Sequence, residues 1–258
     1  MNIRKFYDEM SKLPPSDTLD NDSMLNFSQK SGKQEGSAYN SGSKTVKMRE
    51  GDESSSGIYA ISVEHEIGEV DPKAVPKEGE ERTNFSWNTL HEVGHAVDDK
   101  LGFMKAHGER LAGWTVYGGN VGEAAKEIAD HFKFDADYVA QYMLSSAGRK
   151  LPAPDPVGCD AEEWQRRMSE CRMFVDRARV GNKPWSSASV AAACAIGNYT
   201  YVESYEKSWA RYRTDQRKFA VSGYQFRAPG EWFSELYAAL HSGRLNDNHP
   251  HRPEFEKL

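Results

Sequence analysis

Five residues, His91-Glu92-Val93-Gly94-His95, constrain this chain more than any other feature. Two histidines four apart on an α-helix share a face, so both imidazoles can reach one metal ion. Glu92 follows the first of them and leans toward the same point, where a carboxylate can act as general base on a metal-activated water. The flanks speak for a helix packed on one side. Trp87, Leu90, Val93, Val97 and Leu101 recur at helical spacing and supply an apolar face. Asn84 or Ser86 can cap its start, and Gly102 marks its end.

A catalytic zinc needs a third protein ligand and an open position. Metzincins continue the motif as HExxHxxGxxH, but here the glycine position holds Asp98 and the last histidine position holds Leu101. That class is excluded, and a carboxylate from a second helix is expected instead. Two helices compete: one carries Glu123 and Glu127, the other Glu231 and Glu235. The later pair has the better chemistry. Its members stand one turn apart on one face, so one can bind metal while the other hydrogen-bonds a ligand imidazole. Tyr224, seven residues before Glu231 and just after Gly223, can donate its phenolic hydrogen to an oxyanion.

Composition narrows the setting. The 258 residues suffice for one or two domains; 38% are hydrophobic and the mean hydropathy is −0.76, as in a soluble protein with a polar surface. The apolar runs are too short for a membrane span, so no membrane insertion is expected. The N-terminal residues Met1 to Glu9 lack the apolar stretch of a secretory signal, which predicts synthesis in a cytosol without the general export route. A net charge of −6 with no basic tract argues against nucleic acid as a partner. Three cysteines, Cys159, Cys171 and Cys194, are too few for a disulfide scaffold, and no CxxC pair offers a second, structural zinc.

Along the chain, residues 1–57 read as a flexible arm rich in Ser and Gly, with Thr45 to Met48 as a short strand inside it. Ile58 to Ile67 alternates and predicts a second strand of a hairpin, a candidate edge for an extended substrate. Val121 to Met143 reads as one helical tract, and Leu151 to Gly158, with three prolines, as an extended loop. Asp160 is expected to cap a helix running to about Val180, and another helix is expected over Ser186 to Ile196. The last begins at Pro229 and stops at Gly243, with a polar, exposed tail from Arg244 to Leu258. Residues 58–258 thus form the expected catalytic domain, with 103–222 as a mostly helical insertion and an α+β, largely helical class overall.

The stretch from His91 to Asp99 resembles the zinc helix of the anthrax lethal factor family, including its Ala96-Val97-Asp98-Asp99 continuation. Tyr224, Glu231-Trp232-Phe233-Ser234-Glu235 and His241-Ser242 resemble that family's second metal helix and catalytic tyrosine at the same spacing. These motifs are specific but cover only about a quarter of the chain. The resemblance implies a zincin-like metallopeptidase fold with Zn2+ on His91, His95 and Glu231, Glu92 as base, Tyr224 as oxyanion helper and Glu235 behind one histidine. The separation of 136 from His95 to Glu231 exceeds the family's spacing, and no cell-entry domain is recognisable.

Domains of this family also end bacterial secretion-system effectors of VgrG and Rhs type. The resemblance therefore implies a protein or peptide substrate, a cognate immunity protein and delivery by a specialised machine into a target periplasm or cytosol. A zinc endopeptidase effector is the leading expectation. The alternatives are a binding module with a catalytically inactive zinc site and a housekeeping or self-processing peptidase. The three cysteines are expected to be buried free thiols, with one disulfide among them as an alternative in an oxidising compartment; a latch in which Cys159, carried by the proline-rich loop, caps the metal is the minor reading.

Overall fold

The structure is a computed structural model and describes residues 3–30, 36–49, 84–145, 159–179, 194–205 and 208–258. The fold is α+β, in two compact units: Met1–Gly108 with Arg217–Leu258, and Glu109–Gln216.

The first unit contains α1 (Ile3–Met10), β1 (Asn26–Lys30), β2 (Ala38–Asn40), β3 (Thr45–Arg49) and α2 (Asn84–Leu101). Its three strands lie in the order β1-β3-β2, with β1 parallel and β2 antiparallel to β3. Alternation in β3 sends Val46 and Met48 to one face, where they are wholly buried with Phe6 of α1 and Phe85 of α2. Here the structure departs from the expected loose arm, because residues 3–30 and 36–49 supply a helix and a sheet that pack against α2. The Ser86 hydroxyl donates to Glu9 Oε2 at 2.7 Å, and Lys100 Nζ donates to the carbonyl oxygens of Ser16 and Asp20 at 2.8 Å each. The apolar residues of this segment are few but well placed. An average over its polar composition hides them. The Ile58 to Ile67 strand lies outside the described residues.

Helix α2 stops as expected: Gly102 adopts φ +59° and donates its N–H to Asp98 O at 2.7 Å. Ser86 lies inside the helix, which begins at Asn84. After α3 (Phe103–Ala112) the chain runs into the second unit, and it returns at Arg217 to form α7 (Pro229–His241) and the short α8 (Arg252–Phe255). Pro229 opens α7 and Gly243, at φ +66°, lies just past its end. The tail is not an exposed strip. Leu245, His249, His251 and Phe255 are buried, and the Phe255 ring packs against Phe103, Trp232 and Phe233.

The second unit holds β4 (Thr115–Gly118), α4 (Gly122–Phe132), α5 (Ala136–Leu144), α6 (Ala161–Ala178), β5 (Ala195–Ile196), β6 (Tyr199–Glu203) and β7 (Trp209–Arg213). The expected single helix from Val121 is two. Lys133 turns left-handed at φ 61°, and Asp135 caps the next helix by accepting from the N–H of Asp137 and Tyr138. Asp160 caps α6 through the Glu163 N–H at 2.8 Å. Alongside these helices stands a four-stranded antiparallel sheet in the order β4-β7-β6-β5, which the reading of a mostly helical insertion did not include. Its strands are rich in aromatic and β-branched residues, and Thr200, Tyr201, Trp209 and Tyr212 are buried. Residues 180–193, which hold most of the helix expected from Ser186, lie outside the described residues, and Ala195 and Ile196 are strand.

Candidate metal centre

Two helices build the centre. In α2, Gly94 removes a side chain where α7 crosses: a Cβ there would meet Ser234 Cα at 3.0 Å and Tyr237 Cβ at 3.3 Å. Small residues at a crossing let helix backbones approach closely. That approach brings Glu231, in the first turn of α7, onto His91 and His95. His91 Nε2 and His95 Nε2 lie 3.2 Å apart, and Glu231 Oε2 is 3.0 Å from the first and 3.2 Å from the second. Ligands around a cation with bonds of about 2.0–2.1 Å in tetrahedral array stand about 3.3 Å from one another. The three atoms fit that geometry. Two nitrogen lone pairs and a carboxylate oxygen would repel at this range without a cation or a proton among them, so the group can hold a metal ion.

The residues behind these atoms set their orientation. His91 Nδ1 lies 2.7 Å from Glu235 Oε1, which also accepts the Trp87 indole N–H at 3.2 Å. A carboxylate on Nδ1 keeps the ring proton there and leaves Nε2 free to ligate. Tyr224 donates its hydroxyl to Glu231 Oε1 at 3.2 Å, turning the other oxygen of that carboxylate toward the histidines. Gly230 leaves room beside His95, since a Cβ there would stand 3.4 Å from His95 Nδ1.

Charge and burial act strongly here. Burial alone would lower the His91 pKa, but hydrogen bonds and charge from Glu231 and Glu235 outweigh it and hold the ring well above its ordinary value. Glu231 shows the reverse. Burial would raise its pKa, and the hydrogen bonds to His91 and His95 hold it well below. A proton and a metal therefore compete for the same nitrogen. Glu92 is buried, and desolvation raises its carboxyl pKa, partly offset by the charges of His91 and His95 and by the Tyr39 backbone N–H that bonds to it.

All six residues singled out from the sequence, His91, Glu92, His95, Tyr224, Glu231 and Glu235, lie in the first unit. The competing carboxylate Glu127 belongs to the second unit. Its Oε2 takes the Tyr117 hydroxyl at 2.9 Å, Arg211 Nη1 at 2.7 Å and the Tyr201 hydroxyl, in the second unit. Cys171 and Cys194 are buried and in no disulfide, and burial pushes Cys171 up to about 12, out of the reactive range. Residues 146–158, the loop that would carry the Cys159 latch, lie outside the described residues. Sequence reasoning missed the polar role of Trp87, which sits among the apolar residues of α2, and missed the bond that Arg227 Nη1 donates to the Tyr224 hydroxyl oxygen at 3.2 Å, whose only signal is the spacing of three residues.

No protein-family model, curated protein or solved structure matches this chain.

Proposed function

We propose that the chain is a zinc-dependent endopeptidase of the lethal-factor-like, zincin kind, serving as the catalytic domain of a secreted bacterial effector. One observation carries the enzymatic part: two imidazole nitrogens and one carboxylate oxygen converge within 3.2 Å, with a buried carboxylate, Glu92, next to the first histidine. A purely structural site has no use for that second carboxylate. Two nitrogens with one oxygen suit zinc better than magnesium or calcium, which prefer oxygen-rich shells.

Zinc bound there supplies Lewis acidity that activates water and polarises a carbonyl. Glu92 takes the proton of the attacking water and passes it to the leaving amine; its burial favours this, because a carboxylate with a raised pKa is the better proton acceptor. Tyr224 turns its hydroxyl from Glu231 to the carbonyl oxygen as negative charge grows there. Strand β2 borders the small sheet among the described residues and carries the Tyr39 N–H bonded to Glu92. An extended peptide paired along it would lie beside the base. The effector role rests on the resemblance alone, and with it the cognate immunity protein and the delivery route.

The deciding experiment pairs metal analysis with sequencing of new protein termini in cells expressing wild type or Glu92→Ala. The expected result is about one zinc per chain in both proteins and new termini with wild type only. Zinc in both proteins without new termini would favour the binding-module alternative.

A further inference from the structure

We propose that Arg227 is the positioning residue for Tyr224: its guanidinium fixes the phenol and places a permanent positive charge beside the oxygen that meets the substrate. The value of that charge rests on the peptidase reading, whereas the pairing rests on geometry. Arg227 Nη1 donates to the Tyr224 hydroxyl oxygen at 3.2 Å, and the guanidinium carbon stands 5.4 Å from the ring centroid.

The backbone explains the pairing. Tyr224–Phe226 is a 3-10 turn, closed by the Arg227 N–H on Tyr224 O at 3.0 Å. With three residues per turn, side chains at i and i+3 eclipse, so Arg227 is carried over Tyr224. The turn is tied down from inside. Gln225 and Phe226 are buried, Gln225 Oε1 accepts the Val221 N–H at 2.8 Å, and the Gln225 N–H donates to Ser222 Oγ at 3.0 Å. Pro229 then starts α7 two residues after Arg227, which links the turn rigidly to Glu231.

The chemical consequence follows from donors and acceptors. Arg227 has only N–H groups to offer, so it occupies a lone pair of the phenol oxygen and leaves the phenolic hydrogen to point elsewhere. That hydrogen faces Glu231 Oε1 at 3.2 Å. A phenol that accepts from a cation is polarised and becomes a stronger donor in turn. Arginine stays protonated at any working pH, so the effect does not switch off.

The test uses the full chain with 13C at Cζ of its twelve tyrosines, metal-free and zinc-loaded, in wild type, Arg227→Met, Arg227→Lys and Tyr224→Phe. The resonance missing from Tyr224→Phe identifies Tyr224. We expect it to move in Arg227→Met and to return toward its wild-type position in Arg227→Lys, with zinc affinity unchanged in both. With a peptide that wild type cleaves, Arg227→Met should lower kcat about 10- to 100-fold at unchanged KM. It should add little in the Tyr224→Phe background. An unmoved Tyr224 resonance, or an equal kcat loss in both backgrounds, would overturn the proposal. Absence of any cleaved peptide would count against the peptidase reading alone, since the resonance test needs no substrate.

Discussion

His91 Nδ1 and Glu235 Oε1 lie 2.7 Å apart, so the first histidine of the centre is held from behind by a carboxylate one turn beyond the one that faces its other nitrogen. The two glutamates of α7 thus grip opposite edges of one imidazole. Glu231 offers an oxygen to the metal position, and Glu235 fixes which nitrogen keeps its proton. Trp87, one turn before His91 on α2, holds Glu235 in turn through its indole N–H at 3.2 Å.

Removing this support should weaken metal binding without destroying it. Glu235→Ala is expected to lower zinc affinity about 10- to 100-fold, the usual effect of losing a residue that orients a ligand. Glu231→Ala should cost more, because it removes a ligand atom, and Glu127→Ala should cost nothing. Competition titration against a chromogenic chelator ranks the three. A larger loss from Glu127→Ala than from Glu231→Ala would move the centre elsewhere.

Gly94 tests the helix crossing that assembles the centre. Alanine normally favours a helix over glycine by about 1 kcal/mol. Here its methyl would meet the Ser234 backbone at 3.0 Å and Tyr237 Cβ at 3.3 Å. Overpacking of this kind costs about 1–3 kcal/mol. Gly94→Ala is therefore expected to lower the melting temperature and weaken zinc binding together, as Glu231 is pushed from the histidines. A higher Tm with unchanged zinc affinity would show that the crossing tolerates a side chain.

The metal helix was legible in the sequence because its chemistry and its periodicity coincide in one stretch. His91, Glu92 and His95 follow from helical spacing, and the buried residues Leu90, Val93 and Val97 from the apolar stripe. Glu231 and Glu235 needed both their one-turn spacing and a resemblance, since nothing local tells a ligand carboxylate from a helix-start charge. The N-terminal core was not legible, because Phe6, Val46 and Met48 are scattered through polar sequence and only tertiary packing reveals them as core. The second sheet was missed for a different reason. Its strands are short, and their partners lie across turns that no local pattern connects.

Asp17 ties the same N-terminal segment to α7. It lies in a 3-10 turn of the supposed arm, is buried, and accepts the hydroxyl of the wholly buried Tyr237 at 2.6 Å. Tyr237→Phe should destabilise the protein by about 1–3 kcal/mol, because it takes the donor from Oδ2 of a buried carboxylate whose Oδ1 alone keeps the Ser16 hydroxyl, at 3.1 Å. Urea unfolding should show a lower midpoint at unchanged slope. A neutral substitution would mean that this hydrogen bond contributes nothing to stability.

Asp98 predicts a pH dependence of stability in the metal-free protein. Desolvation raises its pKa from 3.8 to about 6; the backbone N–H groups of Met104 and Phe103 and the charge of His95 offset this only in part. The folded state therefore binds the Asp98 proton more tightly than the unfolded state. Its contribution to stability is fully present below about pH 3.8 and is lost as pH rises through about 6. With 1.36 kcal/mol per unit, the full difference is about 3 kcal/mol, or roughly 6–12 °C in Tm. Asp98→Asn keeps an oxygen for the Met104 N–H, which Asp98 Oδ1 accepts at 2.8 Å, and has no charge to desolvate. Thermal unfolding followed by circular dichroism should give a Tm advantage for Asp98→Asn that is small at pH 4.5 and grows toward pH 7.5. A constant difference across that range would mean that Asp98 titrates alike in the folded and unfolded states.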